Sequence, residues 1–479
     1  MKRFSRLMHI GVMFLIMLGT GFLPPAGTIT PMGMKVLGVF LGLIYAWMFV
    51  GMLWPSFAGL VALGLSGYCS VTQAFNIGFG NSTFLQIFFF FIIAAYAEHS
   101  GLSNKIALFF LSRKFIEGRP WVFVFMLFLA AYILGIFIMT YAVIFFMWTI
   151  LISICDITGY RRLSREAGFL FVGVLQMATL GGTIMPYQVF PKVCMTALAE
   201  ATGLTVSSGI FIVYMTIISF AGMLLYFAGG RLLRIDLSRF GSLKAEHVLK
   251  DKELSLTTEE KIAGAVLMGF TAIILLPLVL PKESLFLAIY KNLGDFGALV
   301  SAICLVCALR CHGRPLADFK KMAQEGLNWD LLALVAATMA IGKAMLARET
   351  GIITTIVDTI MPMFSDMSGI MFILISFVTM ALLTQIAHNL VLATTFIPIL
   401  ANLALSLGMP EQVAIIIAAG LSQVLLAALV TPAASNRGAL IYGYEWIGPK
   451  RAAHYGSLAV IAADLSVIIM GIPLAFLLF

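Results

Sequence analysis

Long apolar runs separated by short polar stretches follow one another along the whole chain. A helix needs about 20 apolar residues to cross a bilayer, so each run of that length predicts one membrane span. Such windows predict spans near residues 7–24, 32–52, 53–67, 83–99, 208–230, 262–280, 294–309, 328–346 and 456–478, with amphipathic stretches at 102–113 and 350–362. The pattern predicts an all-α polytopic membrane protein of about 11 transmembrane helices, of which the first is retained rather than cleaved.

Four apolar segments do not fit a single straight span. Residues 121–156 and 369–407 are each long enough to enter and leave the membrane, which predicts a re-entrant helical hairpin. The length of the first run also fits two tight spans. Residues 168–198 and 411–445 contain Gly-Gly-Thr and Thr-Pro in their middles, and these sequences predict a broken helix. Each predicted hairpin is followed by one predicted broken helix.

The same order of elements occurs on both sides of a polar stretch. Residues 231–261 are rich in charged side chains, which predicts a cytoplasmic linker between two repeats. The first repeat would cover residues 32–230, after an amino-terminal helix at 1–31, and the second would cover 262–479. Basic residues flank the first hairpin but not the second, so we predict that the repeats are inverted relative to each other.

Composition and charge support a membrane protein. Apolar residues make up 61% of the chain and charged residues only 11%, which excludes an ordinary soluble domain. The net charge of +8 comes from Lys and Arg concentrated in loops on one side, so it indicates cytoplasmic loops and not a nucleic-acid partner. This distribution predicts a protein of the plasma (inner) membrane with its amino terminus in the cytoplasm and its carboxyl terminus outside.

The hairpin tips and helix breaks are where we expect the chemistry. Irregular backbone is tolerated at membrane depth only where it lines a cavity, and there its carbonyl groups attract a cation while helix amino termini attract an anion. The tips are predicted at 137–142 and 384–389, and the breaks at 181–186 and 431–436. Tip and break are separated by nearly the same number of residues in both halves, which supports the pairing.

Several segments resemble a known family. The segments AHNLVLATTFIPIL, LVTPAASNRGALIYG, GFGNST and LNWDLLALVAATMAIGKAM are similar to those of the divalent anion/sodium symporter family, bacterial relatives of sodium-coupled dicarboxylate, citrate and sulfate transporters. The resemblance implies an elevator-like motion of the hairpins and a homodimer. It also implies a Ser-Asn-Thr triplet at each hairpin tip, where hydroxyl and amide groups bind the substrate carboxylates and sodium.

This sequence keeps that pattern in part. The second triplet aligns with residues 388–390, where the Asn is kept and the two hydroxyl groups are not. The first triplet aligns with residues 139–141, where a Ser hydroxyl and an Asn carbonyl are lost. The resemblance, together with the intramembrane charges, implies these substrate-binding residues: Thr140, Thr183, His388, Asn389, Thr431, Pro432 and Arg437. It implies a second-half sodium site formed by Thr384, Ala387, Asn389 and Val430, and a first-half site at Gly181 and Gly182. Because hard oxygen ligands are missing, we expect the first-half site to be altered or absent.

Each of these residues has a simpler alternative. Arg437 could attract the anion, since intramembrane charges are costly, or it could snorkel towards the cytoplasmic surface. His388 could bind the substrate or be a buried histidine with its own partner. Asn389 and Thr384 could only cap helix ends, and Thr431 with Pro432 could only kink the chain.

Asp464 is a further intramembrane charge, in the middle of the last predicted span. A buried carboxylate must be paired, bound to a cation or protonated. We expect it to pair with an intramembrane base such as Lys343.

These features predict a secondary active transporter, not an enzyme, that moves a small organic dianion such as a C4-dicarboxylate. It would work by cation-coupled symport or by anion exchange, without a cofactor and with sodium as the candidate coupling ion. A cation/proton antiporter of similar architecture is an alternative, but it would need carboxylates at the breaks, and neither sequence contains one. A membrane-embedded lipid-modifying enzyme, the other alternative, would need a cluster of His, Asp, Glu or Cys near an interface.

Overall fold

A computed structural model of the chain describes residues 2–243, 255–281, 283–311, 314–364, 367–432 and 434–479. Within these ranges the chain is helical, apart from a short antiparallel pair of strands, β1 (Arg310–Cys311) and β2 (Arg314–Pro315). Residues 244–254 of the predicted linker and Ala433 of the second predicted break lie outside the described residues.

The helices of the first half run from the amino terminus to the linker. They are α1 (Lys2–Gly19), α2 (Pro31–Phe49), α3 (Leu53–Leu65), α4 (Val71–Phe79), α5 (Ser82–His99), α6 (Leu102–Leu111), α7 (Pro120–Phe137), α8 (Thr140–Thr158), α9 (Arg165–Gly181), α10 (Val189–Thr202) and α11 (Ser208–Leu232).

The helices of the second half follow the linker. They are α12 (Thr258–Leu275), α13 (Leu285–Ala308), α14 (Phe319–Gly326), α15 (Trp329–Leu346), α16 (Ile352–Ile360), α17 (Gly369–Leu383), α18 (Asn389–Ser406), α19 (Glu411–Val424), α20 (Asn436–Gly443), α21 (Gly448–Ser466) and α22 (Ile472–Leu478). A π-helical turn, Val467–Gly471, joins α21 to α22.

The predicted fold class is confirmed. Among the described residues, ten helices are long and apolar enough to cross a membrane, and several shorter apolar helices accompany them. Their apolar side chains form one continuous core inside the bundle and also cover much of its outer surface, as expected for a protein whose solvent is lipid.

The helix bounds lie close to the predicted hairpins and breaks. The first hairpin consists of α7 and α8, and the second of α17 and α18, with non-helical tips at 138–139 and 384–388. The first break separates α9 from α10 at 182–188, and the second separates α19 from α20 at 425–435. We call α7–α10 the first-half unit and α17–α20 the second-half unit. Their inverted relation stays a prediction.

Local sequence explains where the hairpins begin. Pro120 occupies the first turn of α7, where a missing N–H leaves no hydrogen bond unmade. Ser368 caps α17, because its side chain accepts a hydrogen bond from the backbone N–H of Met371. Gly159 ends α8 in the left-handed conformation that a glycine adopts without strain.

Two elements differ from the apolar windows. Helix α4 has only nine residues, too few for such a window, although a capping box between Ser70 and Gln73 marks its start. Helix α13 begins at Leu285, before the predicted span, but it is kinked at Gly294, whose backbone is not helical (φ 60°, ψ 179°), so the predicted span 294–309 matches the part that follows the kink. The Asp295 carboxylate accepts hydrogen bonds from the hydroxyl groups of Ser208 and Tyr290, which compensate its burial.

The helices pack in two groups. In the hairpin group, α7–α11 and α17–α22, α7 packs on α9, α11 on α21, and α10 on α18 and α19. In the flanking group, α1–α6 and α12–α16, α1 packs on α2, α15 on α3 and α4, and α5 on α14. The two groups also contact each other: α6 packs on α7, α15 and α16 contact α18, and α10 contacts α5 and α15. The contacts of α10 lie beside the tips and breaks.

Candidate functional site

Both hairpin tips and both helix breaks face one cavity of about 320 Å³. This volume suits a small molecule. The hairpin group supplies most of its polar lining, including Thr140, Tyr141, Gln188, His388, Asn389 and Arg437. The flanking group closes the other side with Met52, Phe90, Phe91, Asn328 and Asp330.

Four helices begin at this cavity. They are α8, α10, α18 and α20, whose first residues are Thr140, Val189, Asn389 and Asn436. The first three start without a hydrogen bond from a capping side chain among the described residues, whereas Ser435 caps α20 by accepting from the N–H of Gly438. Free N–H groups and the positive ends of four helix dipoles therefore meet around the cavity, which favours an anion there.

Arg437 places a full positive charge in the same cavity. It is buried, and its guanidinium donates a hydrogen bond to the carbonyl oxygen of Leu426 at 3.0 Å. It forms no ion pair with any residue that the structure describes. Tyr141 and His388 are its electrostatic neighbours. A buried cation without a carboxylate partner is costly, and an anionic ligand in the cavity would compensate that cost.

His388 lies at the second tip, immediately before α18. Its Nδ1 atom is buried and has no hydrogen-bond partner among the described residues. The neighbouring Asn389 uses its side-chain oxygen to accept from the N–H of Leu390. The imidazole, and the amide nitrogen of Asn389, are therefore available to a ligand in the cavity.

Asp330 is the one carboxylate among the described residues that line the cavity. It belongs to the flanking group and lies in the first turn of α15, where the helix dipole stabilises a negative charge. Asn328 caps the same helix by accepting from the N–H of Leu331 at 3.0 Å. The positive features of the cavity thus belong to the hairpin group, and its negative charge to the flanking group.

Side-chain hydrogen bonds join the second tip to the second break. The amide nitrogen of Gln385 donates to the carbonyl of Ala427 at 2.8 Å, and its oxygen accepts from the N–H groups of Leu429 and Val430. The Thr431 hydroxyl donates to the carbonyl of Gln385 at 2.5 Å. The backbone groups freed by both irregular segments are satisfied in this way, as burial requires.

The Thr384 hydroxyl adds a further bond between the same segments. It donates to the carbonyl of Leu425 at 2.9 Å. The carbonyl of Val430 accepts a hydrogen bond from the hydroxyl of Tyr442. Hydroxyl and carbonyl oxygens of the kind that bind alkali cations therefore cluster between this tip and break.

The first-half unit is joined in another way. The side-chain amide of Gln188 donates to the carbonyls of Gly135 and Ile136, at 2.9 and 3.0 Å, at the end of α7. Otherwise α7 and α9 approach backbone to backbone. A Cβ atom on Gly181 would lie 2.1 Å from the carbonyl oxygen of Tyr132, and one on Gly135 would lie 2.3 Å from that of Ala178. Only glycine permits this approach.

The structure brings some of the sequence-predicted residues together at the cavity and not others. Thr140, Gly182, His388, Asn389 and Arg437 line it. The remaining candidates do not line it; they are Thr183, Thr384, Ala387, Val430, Thr431, Pro432 and Gly181.

The hydroxyl groups of two of these candidates are used inside the protein. Thr183 is fully buried and its hydroxyl donates to the carbonyl of Leu180, while that of Thr431 is bound to Gln385. Tyr141, Gln188 and Asp330 line the cavity and were missed by the sequence analysis. A glutamine within an otherwise apolar membrane segment is the signal that could have indicated Gln188, and equally Gln385.

The expected pairing of Asp464 with Lys343 is wrong. Asp464 forms no ion pair with a described residue, and its Oδ1 atom is buried without a hydrogen-bond partner among them. Lys343 lies elsewhere, on a second cavity that Glu200 also lines. Sequence position alone placed both charges within the membrane but not on facing helices.

The described residues contain no group of three or more His, Cys, Asp or Glu side chains that could hold a metal ion. Within these residues the cavity offers hydrogen-bonding groups, one buried cation and the carboxylate of Asp330. Such a site can bind and desolvate an anion.

Comparisons with known proteins agree with this architecture. A family model described as citrate transporter (CitMHS) matches residues 40–420. A protein of Haemophilus influenzae named uncharacterized transporter is 24% identical over 192 residues, which span 40% of this chain and 40% of that relative. The solved structure of the YdaH transporter of Alcanivorax borkumensis, described as having an unusual topology, is similar over 84% of this chain and 89% of its own, with a TM-score of 0.55 and 15% identity. At that identity the likeness shows the fold alone.

Proposed function

Because this chain belongs to the citrate transporter family, and is therefore a secondary transporter of the membrane, we propose that its cargo is a small organic anion with two or three carboxylates, such as a C4-dicarboxylate or citrate. The resemblance to carboxylate transporters that the sequence indicated is confirmed at the level of the family. The cargo itself is inferred from the cavity.

Arg437 carries this proposal. Its guanidinium is buried beside the cavity, bound to one carbonyl, and forms no ion pair with a described residue. A carboxylate of the cargo would balance the charge of the guanidinium and could accept hydrogen bonds from two guanidinium N–H groups at once. The amino termini of α8, α10 and α18 would bind further carboxylate oxygens from other directions.

Side chains at the tips would orient the cargo. Thr140 and Tyr141 offer hydroxyl groups from the first tip, and His388 and Asn389 offer an imidazole and an amide from the second. An anion with carboxylates at both ends could reach donors of both tips at once. An anion with a single charge would leave part of this set without a partner, which supports a polycarboxylate.

We propose that the hairpin group moves as one unit against the flanking group, in an elevator-like manner. The location of the site residues supports this division, because Arg437 and all four helix amino termini belong to the hairpin group. The flanking residues Met52, Asn328 and Asp330 lie at helix ends that the charge distribution assigns to the cytoplasm. The cavity would thus face inward in this conformation.

Sodium is our candidate for the coupling ion, with its site between the second tip and break. Thr384 and the carbonyls around Val430 supply uncharged oxygen atoms there, whereas the first-half unit uses close glycine packing in the same place. We therefore propose that a second-half cation site is retained and that a first-half site is altered or absent. Exchange of one anion for another remains a second form of the same proposal.

We also propose a homodimer in the plasma (inner) membrane, with the amino terminus in the cytoplasm. We place the proposed interface at helices α12 and α13, because most of each helix lies outside the core of one chain and its surface is apolar. Native mass spectrometry from membranes would report the number of copies.

Counterflow in proteoliposomes tests the proposed cargo. Vesicles containing the purified protein and preloaded with unlabelled succinate, citrate, sulfate or leucine would be given external radiolabelled citrate, with and without a sodium gradient. We expect label to accumulate in vesicles loaded with a polycarboxylate and not in those loaded with leucine. Stimulation by sodium would support symport, and uptake only with an internal anion would support exchange. Sodium/proton exchange without carboxylate movement, or chemical change of a lipid, would contradict the proposal.

A further inference from the structure

A second cavity, of about 370 Å³, lies at the other end of the contact between the two groups. Asn76, Asn81, Glu200, Lys343 and Leu346 line it. Two helices border both cavities, because α10 and α15 each contribute residues to the first and to the second. Helix α5 contributes Phe90 and Phe91 to the first cavity, and its capping residue Asn81 lines the second. The two cavities are therefore opposite ends of one seam between the hairpin group and the flanking group.

Helix α15 carries one charge at each end of this seam. Asp330, in its first turn, lines the first cavity, and Lys343, in its last turn, lines the second. Thirteen residues separate them, so they lie about 20 Å apart along the helix axis. Lys320 and Lys321 precede α15, which assigns its Asp330 end to the cytoplasm and its Lys343 end to the outside.

The charge opposite Lys343 belongs to the hairpin group. Glu200, near the end of α10, is an electrostatic neighbour of Lys343, but the two side chains do not form an ion pair within the described residues. Glu200 instead accepts a hydrogen bond from the side-chain amide of Asn81 at 3.0 Å. If α10 shifts with the hairpin group, Glu200 leaves the seam while Lys343 stays with the flanking group.

We propose that α15 is a fixed electrostatic guide that gives the transporter a higher affinity for its anionic cargo on the outside than on the cytoplasmic side. This inference rests on the proposed function. When the cargo faces outward, Lys343 attracts it in place of Glu200. When the cargo faces inward, Asp330 lines the cavity that holds it and repels it, which favours release.

The guide changes the two affinities and not the final gradient. A carrier that binds its cargo unequally on two sides must compensate in the equilibrium between its two empty states, since the cycle returns to its start. The gradient is set by the coupled ion or counter-anion. What α15 would change is the cargo concentration that half-saturates transport from each side.

Transport from each face separately tests the guide. Right-side-out and inside-out membrane vesicles would be given radiolabelled citrate, and the KM of initial uptake would be measured on each. We expect Asp330→Asn to lower the KM of the cytoplasmic face by about three- to sixfold and to leave the outer KM unchanged. We expect Lys343→Gln to raise the outer KM by about the same factor and to leave the cytoplasmic KM unchanged.

Matched variants separate charge from structure. Asp330→Glu and Lys343→Arg keep the charges and should keep the wild-type values on both faces. Asp358→Asn on α16 and Lys35→Gln on α2 remove exposed charges that do not line either cavity, and should also leave both values unchanged. The melting temperature of each variant would show whether loss of a first-turn Asp merely weakens α15.

The outcomes distinguish the two proposals. Equal effects on both faces, effects on the opposite faces, or changes that Asp330→Glu shares with Asp330→Asn would overturn the guide while leaving the carrier proposal intact. If the wild-type protein moves neither citrate nor succinate from either face, the proposed function itself is wrong, and the guide is wrong with it.

Discussion

The second hairpin tip is joined to its helix break by side-chain hydrogen bonds, whereas the first is joined mainly by close approach of two helix backbones. In the second-half unit, Gln385 alone bonds to three backbone groups of the break. In the first-half unit, Gln188 bonds to the end of α7, and Gly135 and Gly181 allow α7 and α9 to touch. A repeated plan can thus be stabilised by a polar network in one copy and by packing in the other.

The two units also differ in the chemical groups that they contribute to the site. The second-half unit brings the buried cation, the histidine and a cluster of oxygen atoms between tip and break. The first-half unit brings hydroxyl groups and uncapped helix starts. We therefore expect substitutions in the second-half unit to affect binding charge and coupling, and those in the first-half unit to affect packing and fit.

The largest expected effect is that of Arg437→Gln. It removes the one cation among the described cavity residues, and we expect citrate binding to weaken by about 100-fold or more, because a buried charged hydrogen bond is lost. Arg437→Lys keeps the charge but cannot form a bidentate pair with a carboxylate, so we expect its affinity to lie between those of Arg437→Gln and the wild type. Isothermal titration with citrate measures both, and equal affinity of wild type and Arg437→Gln would show that the charge has no part in binding.

Substitution of one glutamine in each unit compares the hydrogen bonds of the second unit with those of the first. Gln385→Ala leaves buried backbone groups of the second break without partners, and we expect it to lower the free energy of unfolding by about 2–4 kcal/mol. Gln188→Ala removes donors to two carbonyls, and we expect a loss of about 1–2 kcal/mol. Thermal unfolding of the purified variants in detergent measures the order. A larger loss for Gln188→Ala would contradict the contrast between the units.

Substitution of one glycine in each unit compares how closely the helices pack in the two units. An added methyl group at Gly181 would meet the Tyr132 carbonyl of a neighbouring helix backbone, whereas one at Gly420, on α19, would meet the ring of Phe377 at 2.3 Å. A ring can turn aside more easily than a helix backbone, so we expect Gly181→Ala to destabilise by about 2 kcal/mol and Gly420→Ala by about 1 kcal/mol. Thermal unfolding of the two variants measures this difference. An equal shift of the melting temperature for both would mean that the helix backbones approach no more closely in the first-half unit.

The smallest expected effect concerns the coupling ion. Thr384→Ala removes a hydroxyl from the proposed cation site, and we expect the half-saturating sodium concentration of citrate uptake to rise by about fivefold. Thr384→Ser should restore it, because the oxygen remains. Thr140→Ala should weaken citrate binding without changing the sodium dependence, since Thr140 belongs to the first tip. Equal sodium dependence in all three variants would place the cation elsewhere.

Much of the fold could be predicted from the sequence because lipid imposes length rules. Runs such as 121–156 are longer than one span needs and therefore predict a turn, and α7 and α8 occupy that run. Short helices such as α4 were not predicted, because they are shorter than the apolar window that identifies a span. The part of α13 before the kink at Gly294 was not predicted because it contains Lys291, which shortens the apolar run.

The site could be predicted less well, because it depends on side-chain direction. Arg437 was found since an intramembrane charge is rare and costly, whatever its contacts. The threonines at 183 and 431 lie in the predicted breaks, but their hydroxyl groups donate to nearby carbonyls rather than towards the cavity. Asp330 was missed because an acidic residue in the first turn of a helix already has a sufficient local explanation.

Protection from chemical labelling tests most directly whether both tips enclose the cargo. In a background with the six native cysteines replaced, Thr140→Cys and Asn389→Cys would each be exposed to a small charged thiol reagent with and without citrate. We expect both positions to react in its absence, and citrate to slow each reaction over the concentration range in which that variant binds citrate. Citrate protection of one tip alone, or of neither, would contradict a shared site between the two halves.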